Sequence, residues 1–200
     1  MAGKRELKRE DLKARLIAAA RNRIAESGLA NLRARDVTQD AGCALGGLYT
    51  AFRDLDELIL HVNSETLGML EQDLVNELAG EADPAKQLRI LAHGYLRFAL
   101  GQRNLWTALF EHRLPDGVEA PSWHLDKHMF LIQFIARPLA ALNPDLAEED
   151  LHIRALTLFS AVHGIISISL EARFVGLPRG RLESELDQFV TLLAAGSRAS

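Results

Sequence analysis

Apolar residues recur at spacings of three and four along nearly the whole chain, and the alternating Val, Ile and Thr runs of half-buried strands are missing. This period lays an apolar stripe on each of a series of helices, and the breakers between stripes set their ends. Leu12, Leu16, Ala20 and Ile24 share a face, which predicts a helix over 10–27 closed by Gly28, a residue that adopts the left-handed backbone of a helix end cheaply. A short helix over 34–41 ends at Gly42, and a third covers 45–52. Asp54 stands as N-cap of a long fourth helix whose stripe reads Leu55, Leu58, Ile59, Val62, Thr66, Met69, Leu70, Leu74 and Leu78, until 80–84 breaks it. Further helices are predicted over 84–100, 104–112, 123–142, 148–174 and 182–195. The stretch 114–122 has the densest turn chemistry, and Pro138 kinks or ends the seventh helix. The expected fold is all-α with about nine helices: a three-helix head over 1–53, then a larger helical domain over 54–200.

A length of 200 residues and 48% hydrophobic content suffice for a buried core and exclude disorder. The single cysteine, Cys43, leaves no intrachain disulfide and no Cys/His metal set, so a reducing compartment, the cytoplasm, is expected. The first sixteen residues are charged without an apolar segment behind them. The most apolar later stretches, 130–136 and 161–170, are short and carry polar residues, so neither secretion nor a membrane span is expected.

The formal charge of −4 would argue against a nucleic-acid partner if it were spread evenly. It is not: residues 1–35 hold ten Lys or Arg against four acids, a net of plus six, which leaves minus ten for the rest. A basic head on an acidic body suits a DNA reader with a separate regulatory part; a solvated amphipathic first helix accounts for the same numbers.

Three short helices within about fifty residues, with a glycine turn between the second and third, are the layout of a DNA-binding helix-turn-helix. The residues themselves resemble the TetR family of transcriptional regulators. Arg35-Asp36-Val37 with Ala41-Gly42-Cys43 is similar to its second helix and turn, Gly46-Gly47-Leu48-Tyr49-Thr50-Ala51-Phe52 to its third helix, and Asp54-Leu55-Asp56-Glu57-Leu58-Ile59 to the start of its fourth. The likeness is strong over 12–60 and architectural beyond. It implies that Tyr49 hydrogen-bonds a backbone phosphate, where a half-buried core tyrosine is the alternative, and that Gly46, Gly47 and Thr50 face the groove. Two glycines there would allow close approach to DNA at a cost of roughly 1 kcal/mol each in helix propensity. Val37, Leu48 and Phe52 would fill the core beneath.

The chain departs from the family pattern at three places. Arg33 replaces the usual Ser or Thr before the second helix, Ala44 and Leu45 replace the polar opening of the third, and Leu55 stands where a phosphate-binding lysine is frequent. Phosphate contacts would then come from Arg33, Arg35, Arg53 and the 4–9 segment, with Leu45 meeting a thymine methyl. The expected DNA contacts are Arg33, Arg35, Ala44, Leu45, Gly46, Gly47, Tyr49, Thr50 and Arg53.

Aromatic residues and histidines crowd the stretch from His93 to Phe134, as apolar pocket walls with few polar groups do, or as an ordinary core does. Segments 105–113 and 159–165 resemble the regulatory domain of one TetR subgroup, which implies an effector site built from Tyr95, Phe98, Trp106, Phe110, Trp123, His128, Ile132, Phe159 and His163. His163 lacks the tight companion spacing of a zinc ligand, so no metal or cofactor is expected. The resemblance also implies a homodimer through the last two helices, with Leu158, Val162, Ile166, Leu186, Phe189 and Leu193 at the interface; burial of those stripes within one chain is the alternative. The expected function is repression of transcription at double-stranded operator DNA, released by a small apolar or aromatic effector. A helical ligand-binding scaffold with a degenerate head is the other reading. No nucleophile–base or paired-carboxylate arrangement points to an enzyme.

Overall fold

The computed structural model describes residues 2–171 and 175–196. Residues 172–174, predicted to end the eighth helix, and the side chain of Lys4 lie outside the described residues. Among the described residues the chain is all-helical, with nine α-helices, one 3-10 turn and no strand. It forms two compact units, one of residues 1–68 and 101–125, the other of 69–100 and 126–200.

The first unit holds α1 (Ala2–Ser27), the 3-10 turn (Leu29–Asn31), α2 (Ala34–Asp40), α3 (Gly46–Ala51), the first half of α4 (Leu55–Leu78), α6 (Arg103–Glu111) and the opening of α7 (Ser122–Leu142). α1 begins eight residues before its predicted start. Residues 2–9 show no apolar stripe to betray a helix, and Leu7 is 74% exposed, but they are rich in helix-favouring Lys, Arg, Glu and Leu. Immediately beyond them, Lys13 pairs with Glu10 at 3.7 Å and Arg15 with Asp11 at 3.0 Å across one helical turn. Gly28, at φ 79°, ends the helix as expected, and its N–H donates to the Ile24 carbonyl.

Leu16, Ile24, Val37, Leu48, Leu58 and Val62 are completely buried and join α1–α4 into one core, which Leu105 and Ala108 of α6 complete. Burying a side chain of this size is worth about 1.5–3 kcal/mol, so this cluster dominates the unit's stability. Asn63 is buried among these residues, and its amide donates to the Ala108 carbonyl at 3.3 Å, linking α4 to α6.

The second unit contains the rest of α4, α5 (Pro84–Gly101), most of α7, α8 (Glu148–Glu171) and α9 (Arg179–Gly196). α7 does not stop at Pro138 but runs one further turn to Leu142, with the proline ring buried. α8 and α9 pack together, and Leu158, Val162, Ile166, Leu182, Leu186 and Val190 on them are buried. The Ser169 hydroxyl donates to the Ile165 carbonyl at 2.6 Å and accepts the Leu177 N–H at 3.1 Å, tying the connection between them back onto α8. Arg89 of α5 clamps α9 through a two-pronged pair with Asp187 at 2.8 and 2.9 Å.

α8 is unusual in being apolar on both sides. Residues 155–170 include no Asp, Glu, Lys or Arg, and Ile153, Leu156 and Ile168 stand exposed on the face opposite Leu158, Val162 and Ile166. By length and composition α8 would pass for a membrane span, a property it shares with core helices of soluble proteins.

Candidate nucleic-acid interface and effector-binding residues

The helix-turn-helix is built from local rules. α2 ends at the Ala41 carbonyl region, Gly42 turns the chain with φ 67°, and α3 then packs Leu48 and Ala51 inward. The same register leaves Gly46, Tyr49, Thr50 and Arg53 on the outward side, with Tyr49 59% and Leu45 39% exposed. Of the nine residues expected at the DNA surface, eight are exposed, and Gly47 is partly covered. The tyrosine is no core residue here: its ring leaves the head.

The missing caps read from the sequence are missing in the structure. Arg33 and Leu45 occupy the N-cap positions of α2 and α3, and neither supplies a side-chain hydrogen bond. Asp54 does cap α4, accepting the Glu57 N–H at 2.8 Å, while the Glu57 carboxylate accepts the Arg53 N–H at 2.6 Å. The bond from the Glu57 backbone, with smaller help from Arg53, holds the Asp54 carboxyl below its ordinary range.

Two structural features were invisible in the sequence. The Arg15 guanidinium, counted from sequence only as part of the basic head, donates to the Ala41 carbonyl and so fastens the α2–α3 turn to α1. Arg23 likewise forks onto Asp40 at 2.5 and 2.9 Å, and that hydrogen bond raises the arginine and lowers the aspartate. Both link residues far apart along the chain, so no spacing rule could find them. The two glycines of α3 also separate. A Cβ on Gly47 would come within 3.1 Å of Cys43 Sγ, so internal packing accounts for it, whereas a Cβ on Gly46 would meet nothing within 4 Å. No part of the described chain requires glycine at 46.

Among the cations, Arg53 pairs with the neighbouring Asp54 at 2.9 Å. Arg33 stands at the N-cap position of α2 and Arg35 lies in its first turn; both are exposed, and neither has an ion-pair partner among the described residues.

The expected effector residues fall into separate groups. Tyr95, Phe159 and His163 meet in the second unit: the tyrosine hydroxyl and His163 Nδ1 are 2.9 Å apart, and Phe159 lies nearly flat on the imidazole, with its ring edge to Tyr95. Phe98 and Ile132 of the same unit are buried, and His128 is half-buried. Burial pushes both His128 and His163 below the usual histidine pKa, so both are neutral near pH 7. Trp106, Phe110 and Trp123 belong instead to the first unit. Trp106 packs edge-on to Phe110, and Trp123 stacks on His61 with centroids 4.5 Å apart, while Phe52 lies tilted against that imidazole at 5.4 Å.

Of the six residues expected at a dimer interface, Leu158, Val162, Ile166 and Leu186 are buried within the single chain. Burial of those stripes within one chain, the alternative reading, accounts for these four. Phe189 is partly covered and Leu193 exposed, and Leu192, unremarked in the sequence, is 73% exposed. Among the described residues no group of three or more His, Cys, Asp or Glu side chains is placed to hold a metal.

With this geometry established, the relatives can be set beside it. Residues 88–193 match the family model described as the tetracyclin repressor-like C-terminal domain. A helix-turn-helix-type transcriptional regulator of Haemophilus influenzae is 40% identical over 73 residues, a stretch covering 36% of this chain and 36% of that protein. RolR in complex with resorcinol superposes with a TM-score of 0.70 at 23% identity, covering 97% of this chain and 94% of that one. BioQ with its double-stranded DNA operator gives 0.65 at 18%, covering 94% and 98%. A TetR regulator from Rhodococcus sp. gives 0.63 at 18%, covering 93% and 97%. These structures establish the fold. The family model spans more than half of the chain, which therefore belongs to the tetracycline-repressor-like family, one of transcriptional regulators rather than enzymes.

Proposed function

We propose that the protein is a cytoplasmic, homodimeric repressor that binds a palindromic operator through α3 and is released by a small, uncharged aromatic effector. The observation that carries this reading is the outward face of α3: Tyr49 and Thr50 exposed over a buried core, Gly46 with open space around it, and Arg33 and Arg35 exposed near them with no ion-pair partner among the described residues. Tyr49 then donates to a phosphate and fixes the helix without reading sequence, and Gly46 lets the backbone approach the groove. The neighbour bound to its operator supports this mode of binding.

A two-fold operator calls for a two-fold protein. The exposed apolar residues of α8 and α9, namely Ile153, Leu156, Ile168, Leu192 and Leu193, are the surface that a second copy covers. The effector reading rests on Tyr95, Phe159 and His163, where two aromatic rings and a neutral imidazole–phenol pair suit a flat molecule with one hydroxyl. RolR, crystallised with resorcinol, is consistent with that class. The test is a selection of palindromic duplexes from a random pool, followed by titration with a panel of phenols. Reciprocal weakening of operator and phenol binding supports ligand release, and failure to select any duplex rejects the repressor.

A further inference from the structure

The unpredicted first turns of α1 carry a pattern of their own. Leu12 is the first residue of α1 to pack against the head core, and Leu16 the first to be fully buried. At 100° per residue, Arg5, Lys8 and Arg9 continue the same side of the helix as Leu12 and Leu16. That side is thus apolar where the head covers it and cationic beyond.

The direction of this basic run is set by α3. A Cβ on Gly47 would lie 3.9 Å from Leu12 Cδ2, so the Leu12 face of α1 looks onto the first turn of α3. Residues 9 to 5 then extend about 5 to 10 Å further along the axis, at 1.5 Å per residue. Of the acids close by, Glu10 pairs with Lys13 and Asp11 with Arg15, and Glu6 lies about 100° around the helix from Arg5, off this side. Arg5, Lys8 and Arg9 are exposed, and none has an ion-pair partner among the described residues. A solvated helix face would account for three cations, but not for their sharing a side aimed past α3.

We infer that the first turns of α1 form a second DNA-contacting surface, in which Arg5, Lys8 and Arg9 neutralise backbone phosphates of the duplex flanking the half-site read by α3. The inference rests on the DNA-binding reading above and adds a sequence-independent grip outside the recognised bases. Each phosphate neutralised steepens the salt dependence of log K by about 0.9, so three add about 2.7 per head.

The test uses the full-length protein and a palindrome that it selects from a random pool, prepared with and without six extra base pairs on each side. The variant is R5Q/K8Q/R9Q, which keeps helix-favouring residues; unchanged circular dichroism and thermal midpoint confirm that the head is intact. Wild type should gain at least tenfold in affinity from the flanks, and the variant should lose that gain. The variant's salt slope should flatten by about 2 to 3 per head, with its preferred palindrome unchanged. Equal slopes and equal flank effects in variant and wild type would overturn the arm while leaving repression standing. A wild type that selects no duplex overturns both.

Discussion

In the head, a six-residue helix buries Leu48 and Ala51 and turns Tyr49 and Thr50 to solvent, so its polar and small residues mark the working face. In the second unit, α8 and α9 bury one apolar stripe within the chain and leave other apolar residues outside. On a helix with one apolar face, the period identifies both core and surface. On a helix apolar all round, the period says only that everything is to be covered, not by what. The contrast is between a surface defined by what it lacks and one defined by what has yet to cover it.

The most severe way to probe this contrast is to cut into each core. Leu48→Ala in the head and Ile166→Ala in α8 should each cost about 3 kcal/mol in urea unfolding, since both side chains are completely buried. Leu192→Glu should leave the fold intact and shift the protein from dimer to monomer in light scattering. A dimer that persists would move the interface away from α9.

A pH titration bears on both units together. His61 and His112 in the first, and His128 and His163 in the second, are each held below the ordinary histidine pKa, chiefly by burial. Between those lowered values and about 6.5 the unfolded chain binds more protons than the folded one, so stability rises with pH across this window. The thermal midpoint should fall when pH drops from about 7.5 to about 5.5, and a flat profile would contradict the burial of these imidazoles. Asp187, held low first by its hydrogen bond from Arg89, titrates below this range and does not mask the effect.

Smaller effects separate site from scaffold. Tyr95→Phe removes the hydrogen bond to His163 and should cost about 1 kcal/mol of stability with operator affinity unchanged. Tyr49→Phe should do the reverse, weakening all duplexes alike by about 1 kcal/mol while leaving unfolding untouched. Smallest is Gly46→Ala, which should raise stability by up to about 1 kcal/mol because nothing crowds the new methyl, yet weaken DNA binding. If Gly46→Ala binds DNA as well as wild type, close backbone approach is not the reason for that glycine.

Much of the fold was legible because most helices carry an apolar stripe with a breaker at each end. Asp54 and Gly28 act at the positions their residue types suggest. The start of α1 was missed because its first turns have no stripe and rest on helix propensity instead. The outward face of the head was legible because a motif fixes its register. The expected effector set was not resolved into groups, since periodicity ranks Trp123 and Phe159 alike while Trp123 stacks on His61 and Phe159 on His163. The four buried stripe residues of α8 and α9 could not be sorted between core and interface from the sequence, because on a helix apolar all round two faces compete for one label.

The uncharged run from 155 to 170 has a consequence for tolerance to substitution. In a scan of every residue to lysine, α9 should show a sparse rhythm, intolerant near Leu182, Leu186, Val190 and Ala194 and at the proposed interface residues Leu192 and Leu193, and permissive elsewhere. In the proposed dimer α8 should show a much weaker rhythm, because its own chain covers one side and a second copy would cover Ile153, Leu156 and Ile168 on the other. A helix with no free side has almost no neutral positions through which its sequence can drift.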